Sequence, residues 1–444
     1  MKHLPYFLII ILFAIYCIST EFTMGVYFLI QFFIGLLIVQ IITHKSNSDV
    51  TWMYSLFYSI YGLLTLITQY ELIPIVDEMH YYIHNDAADA FYPAIIEYVI
   101  NASWSNLLDT TLFSPLFNNY PLSALIMGFL GKVGVALEVS NLRLFLRLHE
   151  FLFTSITVAL ITDIPAKMGI YTKKTKKYIM IFSLCSYLYI TSAIFTRDTH
   201  VCLAYALLGY VFLLPECKNR WVWFIILVAV SAGFRPTNGI LAAMFPIVYY
   251  LSAQKRSGLF LIILLIACAV AYPMLNSLFS FGANSLKYYS ELTENNVGGI
   301  FEKVYSLPFP INQIGIAIYL LLLPLPITSV LSSTTHGSMM NLPYCLSPYI
   351  MVMLYFTTLY MAIHGAVNSK KHRNYIYLCV FLFFTIVYGS PEIRRAFAAI
   401  PCLYMVFLCY LPEIPQSVTS FVRTKAWPIT LLTTTALTIY ATIK

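Results

Sequence analysis

Hydrophobic runs recur along this chain at a length that suits a lipid bilayer rather than a globular core. Pro5–Thr20, Met24–Thr43, Trp52–Ile73, Leu259–Leu278, Ile311–Leu331 and Ser347–Gly365 are almost free of charge. Each is close to the ~20 residues an α-helix needs to cross about 30 Å of hydrocarbon. The pattern predicts an all-α fold, a polytopic transmembrane helical bundle of roughly 11–14 spans. Residues 1–444 read as a single integral membrane domain. The first run follows Lys2 and His3 as a secretory leader would, but no small-x-small cleavage site comes after it, so it is read as a retained helix.

Two long polar segments break the series, 73–122 and 279–312. The first holds Asp77, Glu78, Asp86, Asp89, Glu97 and Asp109 and no lysine or arginine. Basic residues collect elsewhere: Lys167, Lys173, Lys174, Lys176 and Lys177; Lys255 with Arg256; and Lys370, Lys371 and Arg373. By the positive-inside rule those ends are cytoplasmic. Counting runs then puts 73–122 on the opposite face as a long extracytoplasmic loop with short helices, and 279–312 beside it. One parity conflict remains. If Pro121–Leu137 and Phe145–Ile164 both crossed fully, the first lysine cluster would lie outside. One of the two, or part of the long loop, is therefore expected to be interfacial or re-entrant.

Composition agrees with this picture. The 444 residues are 60% hydrophobic and 10% charged, with a mean hydropathy of +0.78, against about a quarter charged in ordinary soluble domains. The lipid bilayer is thus the first expected partner. The net charge of +7 sits in short loops and does not indicate nucleic acid. Nine cysteines are scattered, mostly within apolar runs and with no CxxC pair, which points to packing rather than to disulfides or zinc.

Candidate chemistry lies where polar residues meet the ends of spans. In VDEMHYYIHNDAAD, residues 76–89, helical continuation would set Asp77 with His80 and His84, and would line up Glu78, Asn85 and Asp89. A carboxylate there could act as a general base toward an acceptor hydroxyl. The same oxygens could hold a divalent cation, and a solvated connection is the plainer reading. His80 and His84 have the i, i+4 spacing of a zinc pair but no third-ligand signature, so no metal site is assigned; an interfacial belt explains them as well.

Farther along, NNYPLSAL, residues 118–125, places Pro121 in a first helical turn, while Asn118, Asn119 and Tyr120 could line a sugar-binding mouth. In FTRDTHV, residues 195–201, Arg197 either neutralises Asp198 or clamps a phosphate. In GFRPTNG, residues 233–239, Arg235 sits in a broken-helix context that suits a substrate phosphate, or it snorkels. Arg394 and Arg395 follow Glu392 in GSPEIRRAFAAIPCLYM, residues 389–405, at the start of a late hydrophobic helix.

With these residues in place, the chain resembles the C-type (GT-C) polyprenyl-phosphate-sugar-dependent glycosyltransferases. The resemblance rests on Asp77-Glu78, Trp104, Tyr120-Pro121-Leu122, an arginine-bearing helix at Asn141–Arg147, and the RPTNG and RRAFAAIP segments, over about residues 53–410. It implies Asp77, Glu78 or Asp89 as base and Arg197, Arg235, Arg394 and Arg395 as phosphate-binding residues, with His80 and Tyr120 at the substrate. The acidic loop follows the third apolar run where that family has it after the first. The chain is also similar to bacterial O-antigen polymerases, in its Tyr/Phe/Ile-rich composition, its size and its two external loops.

Both resemblances imply an enzyme of the bacterial inner membrane working at the extracytoplasmic face. It would take a sugar or oligosaccharide repeat from a polyprenyl-linked donor to the hydroxyl of a glycan or glycolipid acceptor. A lipid-linked oligosaccharide flippase is the other class, and it would call for paired repeats and midplane breaks, of which no repeat is visible.

Overall fold

The computed structural model describes residues 3–44, 48–69, 94–117 and 120–186, most of 188–235, scattered positions between 239 and 356, and 400–443 apart from 413. Every element among the described residues is helical. Among the described residues, three helices are long and apolar enough to cross a membrane: α2 (Phe22–Thr43), α3 (Ser48–Gln69) and a 26-residue helix, Leu142–Lys167. This is an all-helical membrane protein.

The remaining described elements are shorter. α1 (Leu4–Ser19) opens on Pro5, which fits the first turn because its missing N–H would be unpaired there anyway. After α3 come a π-helical turn at Ile95–Ile100, α4 (Leu107–Thr111) and α5 (Pro121–Ala136), the last again opening on proline. The 26-residue helix is α6. It is followed by α7 (Lys173–Cys185), α8 (Asp198–Leu213) and α9 (Arg220–Phe234), then α10 (Ile400–Tyr410), α11 (Gln416–Phe421) and α12 (Trp427–Ile443).

α6 is the axis of the bundle. Asn141 caps it, its side chain accepting a hydrogen bond from the Leu144 N–H at 2.9 Å. At 26 residues it is about 39 Å long. Its most apolar window is 94% buried, against 33% for α2, so α6 faces protein all round while α2 turns one side outward. α2, α3, α5, α8 and α10 all pack on it.

Tyrosines tie the first helices together. In α3, Tyr54 and Tyr58 donate to the Phe32 and Phe28 carbonyls of α2 at 3.0 and 2.7 Å, and Tyr61 donates to the Ser183 carbonyl at 2.8 Å. Tyr16 of α1 reaches the Gly62 carbonyl at 2.8 Å. Spaced four and three residues apart, Tyr54, Tyr58 and Tyr61 lie on neighbouring helical faces. Each buries a ring and still pairs its hydroxyl, which a dry interior demands. Gly35 permits the closest approach: a Cβ there would lie 2.1 Å from the Tyr54 hydroxyl and 2.3 Å from Leu152.

The inter-helix pairs fix directions. Thr199 and Tyr210 of α8 meet Glu150 and Asp163 of α6, so these two helices run parallel. α5 runs against α6, but only beside its first part. A Cβ on Gly134 would meet Leu142 and Phe145, at one end, and Ser123 bonds His200, whose ring contacts His149 and Phe153, at the other. The α6 stretch so covered, 142–153, is about 17 Å at 1.5 Å per residue, less than half of α6. Of the two runs in the parity conflict, α5 is therefore the short one. Gly128 and Gly131 let Val99, Ile100 and Leu107 lie against it, and Lys132 donates to the carbonyls of Ile100 (3.3 Å) and Ala102.

Candidate functional site

The start of α5, the start of α8, the end of α9 and the second and third turns of α6 converge on one point. At its centre is His200 of α8, fully buried. Its Nδ1 lies 3.1 Å from Ser123 Oγ of α5. Its ring stacks on His149 with centroids 5.7 Å apart, meets Phe153 edge-on at 5.1 Å, and stacks on Phe234 of α9 at 5.2 Å. Gly233 brings α9 in: a Cβ there would sit 3.0 Å from the Leu122 Cβ.

Beside this ring stack is Glu150, also fully buried. Thr199, the residue before His200, donates its hydroxyl to Oε2. Oε1 is 4.0 Å from His149 Nε2, too far for a hydrogen bond. Asp198 and the buried Arg147 guanidinium are the charged neighbours of this carboxylate. Among the described residues, neither ring nitrogen of His149 nor Oε1 of Glu150 has a hydrogen-bond partner. Buried polar atoms are nearly always paired, and ionisable groups at membrane depth are kept where they have work to do. Three donor atoms, one each from His149, Glu150 and His200, lie within 4.8 Å of one another.

Chemically, the cluster offers two imidazoles, two carboxyl groups and a guanidinium beside the rings of Phe153 and Phe234. Such a grouping can hold a cation, pass a proton, or orient an anionic group against Arg147.

The described parts of three stretches that stand out in the sequence, 120–125, 198–201 and 233–235, meet here. Tyr120 caps the end of α5, three residues before Ser123, and is half-buried. Arg235 follows Phe234 directly, half-buried, with its N–H bonded to the Ser231 carbonyl at 2.9 Å. Arg197, next to Asp198, lies outside the described residues, as do Asp77, Glu78, His80, Asp89, Arg394 and Arg395.

His149 and Glu150 are absent from the sequence reading because Phe145–Ile164 scans as one apolar run. The signal for them was there: a His-Glu pair followed by Thr154, Ser155, Thr157, Thr162 and Asp163 is too polar for a lipid-facing helix. His200 lies within FTRDTHV, where Arg197 and Asp198 are the more conspicuous residues. Comparison of the chain with family models, with curated proteins and with solved structures finds no match.

Proposed function

We propose that this protein is an integral membrane glycosyltransferase. It moves a sugar or an oligosaccharide repeat from a polyprenyl-(pyro)phosphate carrier to an acceptor hydroxyl during surface polysaccharide assembly, of O-antigen or capsule. It does so as a multi-pass enzyme of the bacterial inner membrane, with roughly 11–14 spans and its site open to the extracytoplasmic face.

The observation that supports this reading is the convergence of α5, α6, α8 and α9 on buried Arg147, Glu150 and His200. The acidic, lysine-free segment 73–122 feeds directly into the first turn of α5, and Arg235 leaves the last turn of α9. A carboxylate-rich segment leading into α5 and an arginine leaving α9 suit a reaction between a neutral hydroxyl and a lipid-linked phosphate ester. The carboxylate accepts the hydroxyl proton while guanidinium groups hold the departing phosphate. In this scheme Asp77 is the base, with Glu78 or Asp89 as alternates, and Arg197, Arg235, Arg394 and Arg395 bind phosphate, with His80 and Tyr120 at the sugar. A divalent cation on the loop carboxylates is compatible with it.

The test is glycan gel profiling of a deletion strain complemented with Asp77→Asn. The variant is expected to insert and express at the normal level yet fail to restore the glycan. A normal profile removes Asp77 from the mechanism. The deletion strain also separates two forms of the reading: long chains lost with single repeats retained indicate a repeat-unit polymerase, and one sugar lost from every repeat indicates a monosaccharide transferase. An unchanged profile rejects both.

A further inference from the structure

The geometry points to a binding site for one zinc-class divalent cation, built by His149 and Glu150 of α6 and His200 of α8. This goes beyond sugar transfer and does not rest on it. Two imidazoles and one carboxylate form a borderline-soft donor set that suits zinc better than calcium or magnesium, which want oxygen alone. Consecutive residues on a helix diverge by about 100°. His149 and Glu150 therefore straddle the line on which α8 packs, and His200 enters between them.

Each donor is held by its other atoms in the way a ligand needs. His200 Nδ1 faces Ser123 Oγ at 3.1 Å, so an Nδ1–H donated to that hydroxyl leaves Nε2 as the lone-pair nitrogen, the usual arrangement behind a metal-bound histidine. Glu150 Oε2 is occupied by the Thr199 hydroxyl, which leaves Oε1 toward His149. His149 has no hydrogen bond to either ring nitrogen among the described residues and is 2% exposed. Its ring is fixed by stacking on His200 and by the edge contact with Phe153 at 5.8 Å.

The donor atoms lie within 4.8 Å of one another. A tetrahedral zinc, with bonds of about 2.0–2.2 Å, holds its ligands about 3.3–3.5 Å apart. Binding an ion would draw the three side chains, the His149 ring included, closer together. Three protein ligands leave a fourth position open, as in zinc sites that bind water or substrate rather than purely structural ones.

The test uses the full-length protein, purified in detergent without a polyhistidine tag, incubated with zinc chloride and passed through gel filtration. Elemental analysis is expected to find close to one zinc per chain, and the Co²⁺-loaded protein is expected to show the visible absorption of a four-coordinate site with nitrogen and oxygen donors. The His149→Gln/His200→Gln double variant should lose the zinc while eluting at the native volume. Ser123→Ala should bind it about 10–100-fold more weakly. Wild-type protein that retains no zinc, or shows only six-coordinate Co²⁺, overturns the proposal without reference to any variant. Equal zinc in wild type and a folded double variant overturns it as well.

Discussion

The two ends of α6 each carry a buried carboxylate, and their surroundings differ. Asp163, near the C-terminal end, is closed off. Lys167 is 3.2 Å from Oδ2 one turn later, and the Tyr210 hydroxyl of α8 donates to the same oxygen. Lys167 in turn donates to the Tyr210 hydroxyl at 2.8 Å, with its ammonium 5.3 Å from that ring. One negative charge, one positive charge and one hydroxyl satisfy each other, and Lys167 keeps a third of its side chain exposed. At Glu150 the described residues bring one positive charge, Arg147, against two negative ones, Glu150 and Asp198, and leave His149 and Glu150 Oε1 without hydrogen bonds. The first arrangement is complete as a helix-to-helix fastener. The second leaves buried polar atoms without hydrogen bonds among the described residues, which makes it the candidate site.

The sharpest way to break this contrast is Glu150→Gln. Transfer activity should fall on the order of 100-fold or more, since a first ligand should matter at least as much as its supporting residues. Stability, read as the thermal midpoint in detergent, should change little, because the glutamine amide oxygen can still accept the Thr199 hydroxyl. A variant that keeps full activity, or one that fails to fold, would put Glu150 in the same class as Asp163. Next in size is Asp163→Asn. It leaves the Lys167 ammonium without its carboxylate and should cost about 1–3 kcal/mol, with transfer per folded molecule unchanged. Equal losses of activity in the two variants would erase the distinction between the ends of α6.

Much of the scaffold was legible in advance. Met24–Thr43, Trp52–Ile73 and Phe145–Ile164 as apolar runs became Phe22–Thr43, Ser48–Gln69 and Leu142–Lys167 as helices. The shifts come from polar residues that hydropathy reads as exterior. Asn141 caps α6, and Arg143 and Arg147 are inside its first turns, the latter almost fully buried.

The site was half legible, for a physical reason. Polar residues at the ends of apolar runs picked out 118–125, 195–201 and 233–239, and in the described parts of those stretches Ser123, His200 and Phe234 make contacts within the cluster. The meeting of Glu150 with Thr199 and His200 joins residues about fifty positions apart on different helices. Spacing along one chain cannot carry such a contact, because the helix-to-helix register that creates it is set by packing.

The smallest test sharpens what completeness means at Asp163. Tyr210→Phe deletes one hydroxyl and leaves the ion pair and the ring in place. Asp163 Oδ2 keeps Lys167 at 3.2 Å, so the lost hydrogen bond should cost only about 0.5–1.5 kcal/mol, seen as a slightly lowered thermal midpoint with activity intact. In a double-mutant cycle with Asp163→Asn the two losses should sum to more than the double variant shows, because both remove parts of one closed network. Strict additivity would mean that Tyr210 and Asp163 act independently and that the C-terminal end of α6 is held by packing alone. The same cycle at the other end, Thr199→Val with Glu150→Gln, should also show coupling, because Thr199 donates directly to the Glu150 carboxyl group and the pair joins α8 to α6.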